Sequence, residues 1–418
     1  MRPITRGIVA WCTYDWANSS FPAVISTFVF ATYFTKAVAP DVTLGTAMWS
    51  WSVTVSALVI AFLSPVFGSI SDAAGRRKPW ILFFTAVTVV ATFALWEVKP
   101  DPAYLLLGMI LYGIANAGFE FGTVFYNAML ADLAPESWLG RVSGWGWGLG
   151  YAGGLFCLVL ILVLFVQTEH PLFGLGAHEM DNVRIAGPFS AIWMAIFAIP
   201  LFLWTPDAPR KSRGLTAVKR GLRELLESLR NARRHKNILV YLIAHMIYTD
   251  GLNTLFAFGG IYAAGTFGMS FADVVMFGIG MNITAGIGAA AFAWLDDWIG
   301  AKRTISIALL GLTAFGAAIL LVEGQTAFWV LALFMGIFFG PAQAASRSLM
   351  ARLAPPELRV EMFGLFAFSG KATAFAGPFF LGMVTLAFDS QRAGMATVLA
   401  FFLIGLALLW LVKEPKRD

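Results

Sequence analysis

Long apolar runs recur along the whole chain, and they constrain its fold more than any other feature. An α-helix needs about 18 or more mostly apolar residues to cross a bilayer. Runs of that length lie near residues 8–35, 46–71, 79–97, 103–131, 142–166, 186–204, 237–264, 270–295, 303–322, 326–350, 361–387 and 393–412. No segment shows the period-two alternation of a β-barrel strand. The sequence therefore predicts an all-α membrane protein with twelve transmembrane helices.

The composition supports this class and excludes others. Hydrophobic residues make up 59% of the 418 positions and charged residues only 13%, whereas a soluble domain carries about 45–50% and about 25%. Both cysteines, Cys12 and Cys157, fall inside predicted helices, so we expect no disulfide framework, metal or cofactor. No cleavable signal peptide stands out, because the first apolar run is too long and contains Asp15 and Asn18.

Lysine and arginine concentrate in the segments on one side of the predicted spans. That side holds the N-terminus, the loop after the second span, residues 205–236 and the C-terminus. Cytoplasmic loops carry such an excess, so we expect both termini in the cytoplasm of a multi-pass cell (inner) membrane protein. The net charge of +5 follows from this sidedness and does not indicate nucleic-acid binding.

The chain repeats itself, which indicates a duplication. The loop Gly68–Lys78 recurs at 293–303 with an offset of 225, so Asp72 matches Asp297. An offset of 220 matches Leu133-Ala-Pro with Leu353-Ala-Pro, and one of 235 matches Asp15–Phe21 in span 1 with Asp250–Phe256 in span 7. We therefore predict two pseudo-symmetric bundles in parallel orientation. The predicted domains are a six-helix bundle at 1–204, a cytoplasmic basic amphipathic linker at 205–236 and a second bundle at 237–418.

The segment Gly68–Lys78 resembles the loop signature of the major facilitator superfamily, with Ala73 where a basic residue is usual. The strings Tyr14–Phe21 and Asp250–Tyr262 resemble the branch that contains the yeast vacuolar amino-acid effluxer. The resemblance implies the major facilitator fold and the export of amino acids. Independently of the name, Asp72 followed by three cations suits contacts with helix ends of the opposite half.

Ionisable and polar groups inside the predicted spans are the candidates for function, because each costs about 2.5–3.5 kcal/mol in a membrane. One polar stripe runs along span 4, and the 220-residue shift carries it to span 10 with different chemistry. An acid and a cation on opposite halves suit a zwitterion, although a structural ion pair between them explains the same pattern. The predicted substrate-binding residues are Asn116, Glu120, Thr123, Asn127, Gln343, Arg347, Lys371 and Tyr151.

A second set repeats between the halves and is predicted to serve coupling or gating, with a helix-packing role as the alternative. Its members are Asp15, Asn18, Asp250, Asn253, Asp72, Arg76, Arg77 and Asp297. His245 is interpreted as a hydrogen-bonded packing residue.

Together these features predict a secondary active transporter for a small polar or zwitterionic metabolite, amino acids first, with efflux as the expected direction and proton coupling left open. We expect a monomer that contacts its solute and membrane lipids. The alternatives are a drug or lysolipid carrier of the same fold and an intramembrane lipid-modifying enzyme. No nucleophile with a base and no metal set at helical spacing supports the enzyme.

Overall fold

The computed structural model describes residues 5–168, 170–176, 178–209, 211, 216, 218–221, 223 and 235–415. Twelve helices in this part of the chain are long and apolar enough to cross a membrane. They are α1 Arg6–Val38, α2 Leu44–Ala74, α3 Lys78–Glu97, α4 Pro102–Leu133, α5 Glu136–Val166, α6 Asp181–Trp204, α7 Lys236–Phe267, α8 Met276–Ile299, α9 Ala301–Leu321, α10 Gln325–Leu353, α11 Pro356–Phe388 and α12 Gln391–Trp410. The predicted number of spans is confirmed.

The chain divides into two compact units, which we call unit 1 and unit 2. Unit 1 comprises residues 1–63, 76–126 and 149–210, and unit 2 comprises 64–75, 127–148 and 211–418. Unit 2 thus includes the end of α2, the end of α4 and the start of α5 together with all of α7 to α12. These units group residues that pack together, whereas the predicted domains follow the duplication in the sequence. The predicted domain boundaries at 204 and 237 therefore stay a prediction.

Aromatic packing forms much of the interior of unit 1. Trp11 stacks on Tyr126 with the ring centroids 4.3 Å apart, and its indole N–H donates to the Tyr126 carbonyl at 3.1 Å. Tyr14 shares a 2.7 Å hydrogen bond with the Thr85 hydroxyl. Such buried rings combine a large apolar area with a polar group that still finds a partner. They join α1, α3 and α4.

Two glycines permit the tight turns after α2 and α8. Gly75 has φ 92° and Gly300 has φ 105°, a region that side chains with a Cβ rarely enter. The offset of 225 relates the two positions, so both copies of the loop signature use the same turn.

Helix α11 is interrupted near its middle, although the apolar pattern predicts one continuous span. An α-helix runs over Arg359–Lys371, and a second begins at Ala376 and ends at Phe388. Pro378 explains the break, because a proline donates no N–H and its ring collides with the carbonyl four residues earlier. That carbonyl belongs to Ala374, which lies in the interrupting turn.

The predicted amphipathic linker helix, Leu215–Lys236, lies mostly outside the described residues. Residues 218–221 are helical. A Cβ on Gly221 would lie 2.6 Å from the Ile70 Cα, so this turn contacts α2 within unit 2.

Candidate functional site

Two aspartates at the ends of α2 and α8 cap the first turns of two other helices. Asp72 accepts a 2.9 Å hydrogen bond from the backbone N–H of Glu361 at the start of α11. Asp297 accepts hydrogen bonds from the backbone N–H groups of Gly140, at 2.8 Å, and Arg141, at 3.1 Å, at the start of α5. We call these contacts the paired caps. All of their residues belong to unit 2.

The paired caps are the same contact made twice. Asp72 and Asp297 are related by 225 residues, and Arg141 and Glu361 are related by 220. Arg141 and Glu361 are each the third residue of an α-helix, the first beginning at Leu139 and the second at Arg359. The first four N–H groups of a helix lack partners within it, and the positive end of the helix dipole favours a carboxylate there.

Salt bridges surround the cap at Asp297. The Arg141 Nε lies 2.6 Å from an Asp297 carboxylate oxygen, and the Arg141 guanidinium also covers the Trp138 ring at 4.3 Å. Arg352 contacts the neighbouring Asp296 at 2.9 Å, with both side chains at most 3% exposed. The Ser348 hydroxyl donates to Asp296 as well.

The loop repeat in the sequence indicates Asp297 but gives no indication of Asp296 and its partner Arg352. Asp296 does not align with the acid of the loop signature, so the repeat offered no signal for it. Helical spacing on α10 could have indicated the pairing, because Ser348 and Arg352 lie four residues apart on one face. A further ion pair that the sequence did not predict joins Arg359 to Asp132.

Glycines let backbones approach closely beside both caps. A Cβ on Gly144 of α5 would lie 2.5 Å from the Ala289 carbonyl oxygen of α8. A Cβ on Gly364 of α11 would lie 2.5 Å from the Ser64 carbonyl oxygen of α2. The shifts of 220 and 225 relate these two contacts as well. The small residues therefore serve tight helix contacts.

Arg347 lies buried in unit 2, and its donors are directed at the protein. Its Nε donates to the Ser143 hydroxyl at 3.0 Å, one terminal nitrogen to the Ser143 carbonyl at 2.6 Å, and the other to the Asn127 side chain at 3.2 Å. Asn127 and Arg347 are related by the 220-residue shift, so equivalent positions of the two predicted stripes meet. This geometry braces α4, α5 and α10, and the predicted solute-binding role of Arg347 stays a prediction.

The stripe on α4 divides between the two units. In unit 1 the Asn116 amide donates to the Ser56 hydroxyl at 2.8 Å, and the Thr123 hydroxyl donates to the Phe119 carbonyl within its own helix. Glu120 is half-buried on the same helix. Asn127, at the other end of the stripe, belongs to unit 2 and contacts Arg347.

The remaining predicted substrate-binding residues are half-buried. Tyr151 lies on α5 in unit 1, Gln343 on α10 in unit 2, and Lys371 at the end of the first segment of α11. Their predicted roles are untested by these positions and stay predictions.

The repeated pairs of α1 and α7 differ in their surroundings. Asp15 and Asn18 are buried, and a Cβ on Gly150 would contact the Asp15 backbone. Asp250 is also buried, whereas Asn253 is exposed. The repeat in sequence therefore does not give Asn253 the environment of Asn18.

The basic residues of the first loop separate. Arg76 is exposed, whereas Arg77 is 5% exposed and its backbone N–H donates to Asp207 at 2.9 Å within unit 1. His245 shares a 2.7 Å hydrogen bond with the Ser369 hydroxyl and stacks on Phe366, as expected of a packing residue. Among the described residues, no group of three or more His, Cys, Asp or Glu could hold a metal ion.

Solved structures share this arrangement of helices. The proton:xylose symporter XylE is 14% identical with a TM-score of 0.75, and the match covers 98% of this chain and 96% of that one. The human organic anion transporter MFSD10 is 16% identical with a TM-score of 0.72, over 98% and 100% of the two chains. This chain therefore has the twelve-helix fold of the major facilitator superfamily.

Within that class, the chain belongs to the family described as vacuole effluxer Atg22 like, which matches residues 44–417. An uncharacterized MFS-type transporter of Bacillus subtilis, YxiO, is 25% identical over 99% of this chain and 96% of its own length. Autophagy-related protein 22 of Kluyveromyces lactis is 22% identical over 86% of this chain and 77% of its own length. The family description and the name of the Bacillus subtilis relative together identify the chain as a transporter of the major facilitator superfamily.

Proposed function

We propose that this protein is a secondary active transporter that exports a small polar or zwitterionic metabolite, amino acids first, by alternating access. The observation that carries the proposal is the paired caps. They join segments from the first sequence half to segments from the second half at two equivalent places. A carrier of duplicated design needs such contacts, because they hold one set of helix ends together and can break in concert.

The charges of the paired caps suit reversible contacts. A carboxylate at a helix N-terminus contributes about 0.3–1 kcal/mol when exposed and up to about 2 kcal/mol when partly buried. Two such caps with their ion pairs represent a few kcal/mol, the scale of a two-state equilibrium that a bound solute shifts. The excess of lysine and arginine at this end of the helices supports a cytoplasmic location for it. The caps would then close the cytoplasmic side.

The proposed solute class follows from unequal chemistry on matched helices. Glu120 of α4 corresponds to Gly340 of α10, and Tyr151 of α5 corresponds to Lys371 of α11. An acid and a cation on different halves would bind the ammonium and the carboxylate of one amino acid. The family description, vacuole effluxer, supports export as the direction.

The location and partners are part of the same proposal. We propose a monomer in the cell membrane with both termini in the cytoplasm, in contact with lipids. The structural similarity to a proton:xylose symporter supports a proton as the coupling ion.

The test is counterflow in liposomes that contain the purified protein. Labelled amino acids, a labelled lysolipid and a cationic dye are offered separately. We expect accumulation of amino acids that Glu120→Gln reduces at least tenfold, while Asp389→Asn, an exposed site at the end of α11, leaves the rate unchanged.

Accumulation of the lysolipid or the dye with no amino-acid signal would instead favour the drug or lysolipid carrier. Conversion of a lipid to a new product would favour the enzyme. Amino-acid transport that is equal in wild type and Glu120→Gln would refute the proposed site while keeping the solute class.

A further inference from the structure

The break in α11 lies beside a buried carboxylate of α7. Asp250 is 2% exposed, and one of its oxygens, Oδ2, accepts a 3.1 Å hydrogen bond from the backbone N–H of Gly377. Gly377 is the second residue of the helix segment that begins after the break, Ala376–Phe388. The carboxylate therefore caps a helix N-terminus in the middle of a membrane span.

Two oxygens at this cap have no hydrogen-bond partner among the residues that the structure describes. One is the second carboxylate oxygen of Asp250, Oδ1, and the other is the Thr254 hydroxyl, which is 1% exposed. A Cβ on Gly377 would lie 3.1 Å from Asp250 Oδ1 and would collide with the Thr254 oxygen. Both oxygens thus flank the same backbone position. Buried polar atoms without partners are rare in native proteins, and each needs a specific explanation such as a catalytic role or a bound water or ion.

The break is present in one half only, which argues against a purely architectural role. The shift of 220 relates α11 to α5, where an uninterrupted α-helix runs over Leu139–Ile161. Asp15, the counterpart of Asp250, adjoins that unbroken helix at Gly150. Transporters typically form their substrate and ion sites near the middle of the membrane from discontinuous helices.

The surroundings contain few groups that could neutralise the carboxylate. The second α11 segment carries no titratable side chain, and α12 carries only Arg392, whose guanidinium donates to the carbonyls of Leu320 and Val322. On α7 itself, His245 is hydrogen-bonded to Ser369. The first α11 segment ends at Lys371, which is half-buried.

The other two helices in contact with α7 carry their charges elsewhere. On α10, Arg347 is directed at Ser143, and Arg352 pairs with Asp296 of α8. The two remaining acids of the α8 region are Asp297, in the paired caps, and Asp273, which bonds Ser270. Within the part of the chain that is described, no cation pairs with Asp250.

We propose that Asp250, with Thr254 and the α11 break, is the proton-binding site of this transporter. A proton from the aqueous phase binds Oδ1, and the new O–H group donates to the Thr254 hydroxyl oxygen. A neutral carboxyl is a weaker cap than a carboxylate, so protonation loosens the hold on the Gly377 N–H and on the second α11 segment. Deprotonation restores the cap and returns the proton to water.

A proton fits this site better than a metal ion. In the turn at the break, the carbonyls of Phe368, Lys371 and Thr373 already accept backbone hydrogen bonds from Ala372, Ala374 and Ala376. The buried side-chain oxygens without a partner here are two, Asp250 Oδ1 and the Thr254 hydroxyl, fewer than the several oxygens that a hard cation takes. A proton on Oδ1 gives that oxygen a hydrogen to donate, and the hydroxyl offers an acceptor.

The experiment measures protonation without any solute, so its outcome is separate from that of the proposed transport function. Infrared difference spectra are recorded on the full-length protein in liposomes as the pH is lowered. We expect one carbonyl-stretch component of a buried carboxylic acid in the wild type, its absence in Asp250→Asn, and its retention in Asp389→Asn. Asp389 is an exposed C-cap with φ 47°, which asparagine tolerates.

Thr254→Val provides a second variant of similar volume in case Asp250→Asn does not fold. Without the hydroxyl acceptor, the component should shift in frequency and in its titration midpoint. Superimposable spectra of wild type and Asp250→Asn, or of wild type and Thr254→Val, would overturn the proposal. So would a component that appears when Na⁺ is added at fixed pH and does not respond to acidification.

Discussion

Replacing Asp297 by asparagine should release one of the paired caps while changing the side-chain shape least. The carboxylate accepts from Arg141 Nε at 2.6 Å and from two backbone N–H groups at 2.8 and 3.1 Å. Asparagine keeps one acceptor oxygen but presents an amide nitrogen to the remaining donors. One guanidinium bond and one backbone bond are therefore lost.

The magnitude follows from the strength of those bonds. A hydrogen bond to a charged group contributes about 1.5–3 kcal/mol, and the retained amide oxygen offsets part of the loss. We take about 2–3 kcal/mol for the net change, which applies only to the state in which the cap is formed. At about 1.4 kcal/mol per factor of ten, the ratio of open to capped molecules should rise roughly 30- to 140-fold.

The assay is a spin-label distance measurement across the caps. Ser137 and Glu357 are exposed, lie just before the capped helix starts of α5 and α11, and are related by the 220-residue shift. With the two buried cysteines replaced by serine, nitroxides at these positions should show a second, longer distance in Asp297→Asn. Asp389→Asn is the control and should keep the wild-type distribution.

The same distance distribution in wild type and Asp297→Asn would refute this reasoning. A double-mutant cycle with Arg141→Gln tests the mechanism further. We expect the two substitutions to be non-additive by about 1–3 kcal/mol, because they remove the same contact.

Further predictions concern packing, burial and pH. Gly364→Ala should destabilise the capped state by about 1–3 kcal/mol through overpacking, measured by the same distances, whereas Gly382→Ala, whose Cβ would meet nothing within 4 Å, should not. Arg352→Ala should lower thermal stability in detergent by about 3–5 kcal/mol, because it removes the cation that pairs with the buried Asp296 carboxylate; an unchanged melting temperature would contradict this. Hydrogen bonds from the Ser270 hydroxyl and backbone N–H lower the pKa of Asp273, outside the membrane span, below its ordinary 3.8. Asp273 therefore stabilises the start of its helix fully at pH values above its ordinary pKa, and this stabilisation is lost as the pH falls through the lowered pKa. Hydrogen exchange of the first turn of the helix would detect the loss.

Much of the architecture could be read from local patterns. The length of each apolar run predicts a span whatever it packs against, because the bilayer is the dominant solvent. The matched loops predict equivalent turns, and both Gly75 and Gly300 adopt positive φ. The acid of each loop was expected to meet helix ends, and Asp72 and Asp297 do so.

Contacts between segments far apart in sequence could not be predicted from these local patterns. Asp296 and Arg352 carry no repeat signal, and their pairing depends on how α8 and α10 pack. Arg347 has the charge expected of a solute site, yet its donors are directed at Ser143 and Asn127. Hydropathy predicts neither the Asp296–Arg352 pair nor the partners of Arg347, since it is averaged over a window of residues and does not describe which way a side chain points.

The sequence by itself determined that this chain spans a membrane twelve times and that its two halves are related. The first follows from the transfer of apolar side chains from water to the bilayer, and the second from matching residues at fixed offsets. Neither depends on how the helices pack. Tertiary structure alone decided which acid caps the break in α11. A helix break and a buried carboxylate become one site only when α7 and α11 lie side by side, and that adjacency is a property of packing.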